Sequence, residues 1–194
     1  MSPPDPLPRA VAETPEQQRR FFDAALDLLG EEGYSGLKLT RLCRRLGLTT
    51  GAFYHSFAGW RAFTDALLEH WYAERTLAAA ERLRDEPDPA RRLDLLLAAA
   101  LDLRHGAESA IRVWAGVDPR VRGVLDRADR DRLDLTAAAF ADLTGDPARA
   151  RRLAQTALAL LVGHEQLGAV QDPDTLAWAL RAIRRLAHEA ETVR

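Results

Sequence analysis

Lysine is nearly missing from this chain: Lys38 is the only one, and every other strong base is arginine. Such a skew follows codon usage in a GC-rich genome, so arginine abundance alone says nothing of function. Cysteine is as scarce. Cys43 has no second thiol to pair with, which excludes an intramolecular disulfide and fits a reducing cytoplasm. β-branched residues are few and no apolar run alternates, so no sheet is expected. No stretch approaches the ~18 consecutive apolar residues of a membrane span. HExxH, CxxC, GxSxG and a Gly-rich phosphate loop are all absent. His164 and Glu165 are adjacent, so they cannot share a helix face as metal ligands would. These absences argue against an enzyme, a metal centre and a bound cofactor. One further absence is local: no Asp or Glu occurs from Gly33 through Thr64, in a chain that otherwise mixes charges freely.

What is present is helical material. Apolar residues make up 47% of 194 positions, dominated by Ala and Leu, enough to bury a core in one medium domain or two small ones. The 29 acids and 27 bases leave a net charge of −2. The start, MSPPDPLPRAVAE, is Pro-rich with no apolar h-region; it is read as a flexible arm over residues 1–13, not a signal peptide. A soluble, cytoplasmic protein is expected.

Prolines punctuate the rest. Asp88-Pro89, Asp118-Pro119, Asp146-Pro147 and Asp172-Pro173 each place an N-cap acceptor before a residue that lacks the amide nobody would satisfy. Thr14-Pro15 does the same, with Gln17 at capping-box spacing. About nine helices are predicted, over 15–32, 39–46, 50–57, 60–85, 89–105, 107–115, 119–143, 147–169 and 173–191.

Within the acid-free window, Cys43, Gly47 and Phe53 have the spacing of a helix-turn-helix. A small residue lets two helices approach, Gly47 supplies a left-handed turn, and Phe53 anchors the second helix on the first. Leu42, Leu46 and Leu48 would fill the wedge and Thr49 would cap the second helix. Its outer face would carry Thr50, Ala52, Tyr54 and His55, with Phe53 and Phe57 inward. A plain helical hairpin with solvated arginines would share the spacing. It has no need to exclude carboxylates, whereas a surface that meets phosphate does.

From Phe21 to Leu68 the chain resembles the DNA-binding domain of the TetR family of bacterial transcription regulators. The resemblance lies in AALDLLGEEGYSGLKLTRLCRRLGLTTGAFYHSF: Gly33-Tyr34, Gly47-Leu48-Thr49, Gly51, and Phe53-Tyr54-His55-x-Phe57. It implies an all-α chain: an N-terminal three-helix domain with the helix-turn-helix over 14–58, then a larger helical domain over 59–194 that binds a small molecule and dimerises. It implies operator contacts at Lys38, Thr40, Arg41, Thr49, Thr50, Gly51, Ala52, Tyr54, His55 and Trp60. Three positions depart from the family pattern. Lys38 replaces a capping Thr, Thr50 a common Lys, and Trp60 a Lys at the start of the fourth helix. Trp60 falls on a stripe with Phe63, Leu67 and Trp71, which gives it a packing role. Arg41, Arg44 and Arg61 would partly offset the lost charge.

The second domain has its own signals. The helix over 147–169 reads as apolar nearly all round, which requires cover on two sides. The last helix buries Leu176, Ala179, Leu180, Ile183 and Ala187 and turns Trp178 and Ala182 the other way. A homodimer seam is therefore expected on Leu160, Leu161, Leu167, Trp178 and Ala182. Polar groups on apolar stripes mark candidate ligand contacts: Arg104, Arg132, His164 and the large aromatic Trp114. For each arginine a buried ion pair is the competing reading. The functional expectation is a regulator, most simply a repressor, that binds a palindromic duplex as a homodimer and is released by an unknown effector. A helical small-molecule-binding or scaffold protein without operator binding, and an activator, are the alternatives.

Overall fold

The computed structural model describes residues 15–189. The N-terminal arm, the Thr14 cap and the expected end of the last helix at 191 lie outside them. Nine helices occur among the described residues: α1 (Pro15–Glu32), α2 (Leu39–Leu46), α3 (Thr50–Ser56), α4, α5 (Pro89–Leu101), α6 (His105–Ala115), α7 (Pro119–Thr144), α8 (Pro147–Gln166) and α9 (Pro173–Glu189). Helix α4 is compound. It runs as α-helix over Trp60–Tyr72, widens to π-helix over Ala73–Leu77 and resumes over Ala78–Arg84. The fold is all-α, as expected.

All four Asp-Pro junctions behave as caps. Asp88 accepts from Ala90 N at 3.0 Å, Asp118 from Arg120 N at 3.0 Å, Asp146 from Ala148 N at 2.9 Å, and Asp172 from Asp174 N at 3.2 Å. Helix-N-terminal amides hold the Asp146 carboxyl below the usual carboxylate range. Two helices stop three or more residues short of expectation. Helix α5 stops at Leu101, where the chain turns to bring Arg104 onto α1. Helix α8 stops at Gln166, because Gly168 adopts φ 58 and a 3₁₀ turn follows over Gly168–Val170.

Two apolar cores organise the helices. The first joins α1–α4 to α6 and the front half of α7, around Phe21, Phe53, Phe63, Trp71, Ile111 and Val121. The second lies among α5, the back half of α7, α8 and α9, around Leu93, Phe140, Ala154, Leu161 and Leu180. Helix α1 rests on α6 through backbone: a Cβ built at Gly106 would lie 2.9 Å from Gly30 O.

Helix α8 corrects the all-round apolar reading. Ala150, Ala154, Ala157 and Leu161 are buried on one side, and Arg151, Arg152, Gln155 and Thr156 face solvent on the other. Leu161 is 6% exposed and belongs to the chain's own core, which removes it from any outer seam. His164 is buried on the side of Ala157 and Leu161, and Leu160 faces out.

Candidate nucleic-acid interface

The helix-turn-helix is built as its sequence requires. Helix α2 begins after Lys38, which is extended (φ −133°) and makes no side-chain cap. Leu42 and Cys43 are buried, and Gly47 turns the chain at φ 66°, ψ 27°. Its N–H returns to Arg44 O at 3.2 Å and that of Leu48 to Cys43 O at 2.9 Å, closing the C-terminus of α2. Thr49 Oγ1 then accepts from Ala52 N at 3.3 Å and starts α3. Burial raises the Cys43 thiol pKa, as befits a packing residue.

Helix α3 has seven residues, too short to be stable alone, so packing holds it. Phe53, fully buried, meets Phe21, Phe57 and Phe63 at centroid distances of 5.8, 5.3 and 5.4 Å. Removing such a ring costs about 3–5 kcal/mol. The opposite face stays open. Thr49, Thr50, Gly51, Tyr54 and His55 are exposed, Tyr54 to 59%, and Ala52 is half-buried. Lys38 and Thr40 are exposed at the start of α2. Trp60 is half-buried against Phe53 (6.0 Å) and Phe63 (5.2 Å), the packing position its stripe suggested.

The acid-free window is acid-free in sequence but not in space. Glu31 and Glu32, just ahead of it on α1, reach across to α2. Arg45 binds Glu31 through two bonds of 2.7 and 2.6 Å, and Arg41 pairs with Glu32. The Arg45 guanidinium holds the Glu31 carboxyl below its ordinary range. Arg41, expected to face phosphate, is therefore committed to α1. Arg44 is exposed with no ion pair among the described residues, and Arg61 has only a loose 3.9 Å approach to Asp65.

The four candidate ligand residues do not converge. Arg104 bonds Asp27 at 2.8 Å and Asp23 at 3.2 Å, tying the second core to α1. Trp114 is buried and stacks on Tyr34 at 5.1 Å. His164 packs edge-on against His105 at 5.0 Å beside the buried Glu165. Only Arg132 lines the apolar cavity between α4, α5, α7, α8 and α9, and it is already paired. Its guanidinium donates to Glu108 at 3.0 Å and to Thr76 Oγ1 at 3.2 Å, and lies 5.2 Å from the Trp71 ring centroid. Glu108 also accepts from Trp71 Nε1 at 2.7 Å. The cavity holds about 670 Å³ of empty space, its open mouth included. Sequence reading missed its other polar members, Arg75, Thr76 and Thr136. A buried Thr in the middle of a long helix was the one available signal. Also missed was the group around Glu165, where Arg112 binds Asp129 at 2.8 and 2.9 Å and Glu165 at 3.2 Å.

On the dimer candidates, Trp178 is 61% exposed and Leu167 53%, with Leu160 and Leu186 also exposed. Ala182, half-buried, lies between Trp178 and Leu186 on one stripe of α9. No described helix is long and apolar enough to cross a membrane.

A short, capped helix presented outward from a rigid aromatic core, after a glycine turn, defines the class: a helix-turn-helix protein with an appended helical domain. Residues 21–67 match the family model of bacterial regulatory proteins, tetR family. Over 70 residues, 36% of this chain, the protein is 40% identical to the class A tetracycline repressor protein from transposon 1721 of Escherichia coli. Over 114 residues, 57% of this chain, it is 29% identical to the regulator SrpR of Pseudomonas putida. The matched stretches span 32% and 52% of those relatives' own lengths. In fold, a transcriptional regulator from Rhodococcus sp. superposes with a TM-score of 0.72 at 21% identity, covering 89% of this chain and 96% of that one. The resemblance to the tetR family of bacterial regulatory proteins lies in this N-terminal helix-turn-helix segment, residues 21–67.

Proposed function

We propose that the protein is a transcriptional regulator that binds a palindromic duplex as a homodimer, with α3 in the major groove, and that a small molecule in the second domain controls that binding. The observation that carries this reading is the open face of α3. Among the described residues nothing covers Thr49, Thr50, Tyr54 and His55, no carboxylate occurs in the sequence between Gly33 and Thr64, and the helix is fixed from behind by Phe53. Outward side chains on a rigidly held helix suit base contact, and Lys38, Arg44 and Arg61 can reach phosphate. A single module makes few contacts. Two copies, read one helical turn apart at ~34 Å, gain from linkage. The apolar stripe Trp178–Ala182–Leu186 is the surface offered to the second copy. One relative is by name a repressor, which favours repression over activation.

The test is selection of bound sequences from randomised duplexes, then titration across salt. A palindromic consensus is expected, with affinity falling steeply between ~50 and ~200 mM. Thr50 and His55 variants should relax preference at one position per half-site by about 1–3 kcal/mol. Tyr54→Ala should weaken all sequences alike if its hydroxyl meets phosphate. No enrichment, or binding indifferent to salt, refutes the proposal.

A further inference from the structure

The cavity in the second core is chemically more specific than a generic apolar pocket. Its walls are aliphatic: Leu96, Leu97, Leu135, Leu158, Leu161 and Leu180, with alanines between them. Among the described residues, no aromatic ring and no carboxylate line it. Quaternary ammonium groups are held by aromatic faces, so a cationic head has nothing to meet here. The two hydroxyls each already hold one bond to Arg132, Thr76 accepting from its Nε and Thr136 donating to its carbonyl O at 2.7 Å. Arg132 itself is neutralised by the buried Glu108.

That leaves Arg75. It lines the cavity from the π-helical stretch of α4, is half-buried, and has no ion pair or hydrogen bond among the described residues. Its unpaired guanidinium keeps access to water at the cavity, and its planar fork fits a carboxylate through two parallel bonds. Among the described residues it is the one uncompensated charge in the lining.

We infer that the cavity binds an alkyl-chain carboxylate, its chain among the leucines and its head on Arg75. The consequence for DNA rests on the regulator reading above; the binding does not. Arg75 could instead hold its aliphatic stem against the wall with its head in water. The two situations differ in what removing the charge does.

The experiment is calorimetric titration of the full chain with three ten-carbon probes that differ only in the head: decanoate, decan-1-ol and decyltrimethylammonium. Decanoate should bind best and the cation worst. Arg75→Gln should weaken decanoate about 10- to 100-fold, the range for a hydrogen bond to a charged group, and leave decan-1-ol unchanged. Leu158→Trp, which fills the space, should block both. Wild-type decanoate affinity in R75Q, equal or tighter binding of the alcohol or the cation, or no decanoate binding by the folded chain, each overturns the assignment. The regulator reading is tested apart from this. A chain that binds its selected duplex but not decanoate refutes only the cavity assignment. A chain that binds decanoate through Arg75 yet releases no duplex refutes the control of DNA binding by this cavity.

Discussion

The contact between α1 and α6 gives a prediction with a definite sign. Gly30 and Gly106 face each other, and neither has a positive φ, so alanine suits either backbone. Their surroundings differ. A Cβ at Gly106 would lie 2.9 Å from Gly30 O and 3.0 Å from Gly30 Cα, whereas a Cβ at Gly30 meets nothing nearer than Ala107 N at 3.6 Å. The first contact must open by roughly 0.5–1 Å to reach an ordinary carbon separation, and backbone cannot swing aside as a side chain does. Overpacking of this kind costs about 1–3 kcal/mol. Replacing helical glycine by alanine returns at most about 1 kcal/mol. Gly106→Ala should therefore lose about 0–2 kcal/mol, and Gly30→Ala should gain up to about 1 kcal/mol. The two variants, chemically the same, should differ in melting temperature by roughly 2–12 °C, with G106A lower. Thermal unfolding by circular dichroism reads this. Should G106A melt at or above G30A, the close approach is not where it is described here. Because α1 packs on α2 and α3, G106A should, on the proposed function, also lower affinity for the selected duplex more than its stability loss explains.

Glu108→Ala strands the Arg132 cation in the core and should cost about 3–5 kcal/mol in urea denaturation, while the double variant E108L/R132L should cost much less; equal losses would show that the pair is not coupled. The Glu165 carboxylate, 3.7 Å from His105 Nδ1, is the chief cause of a raised His105 pKa. The stability His105 contributes is then fully present below its unfolded pKa of ~6.5 and fades as pH rises through the raised folded value. The stability gap between wild type and His105→Gln should be wider at low pH than at high pH, and a constant gap contradicts it. The neighbouring His164 is lowered chiefly by burial and next by the His105 charge, so it too responds to His105→Gln; making the comparison in a His164→Gln background isolates His105. Trp178→Glu should yield a folded monomer in sedimentation with weak duplex binding; a stable dimer would move the seam off α9.

What was legible in the sequence was what is local. An Asp-Pro pair carries its own reason to start a helix, and Cys43, Gly47 and Phe53 specify the turn within eleven residues. What was not legible is assembled from distant parts. The cavity takes its lining from five helices, and no spacing announces that Arg75 would lack a partner while Arg132 found Glu108. Arg104 and Arg132 look alike as basic residues on apolar stripes; only the tertiary arrangement sends one to α1 and the other to the core. Leu160 and Leu161 differ by one position, a 100° step on a helix, and that step separates an exposed side chain from a buried one.

The acid-free window has a counterpart in where acids do occur. Asp23, Asp27 and Glu31 repeat at four-residue spacing and so share one face of α1. Arg104, from the turn before α6, holds the first two, and Arg45, from α2, holds the last and approaches Asp27 at 3.9 Å. Each of these exposed pairs is worth little alone. Together they register α1 against the reading head on one side and the second core on the other, alongside the Gly30–Gly106 contact. Acids are thus placed where arginines must be held, and the proposed duplex contact would account for their absence from Gly33 through Thr64. On the proposed reading, helix α1, which itself carries none of the expected base contacts, would be the element that passes a change in the second core to α3.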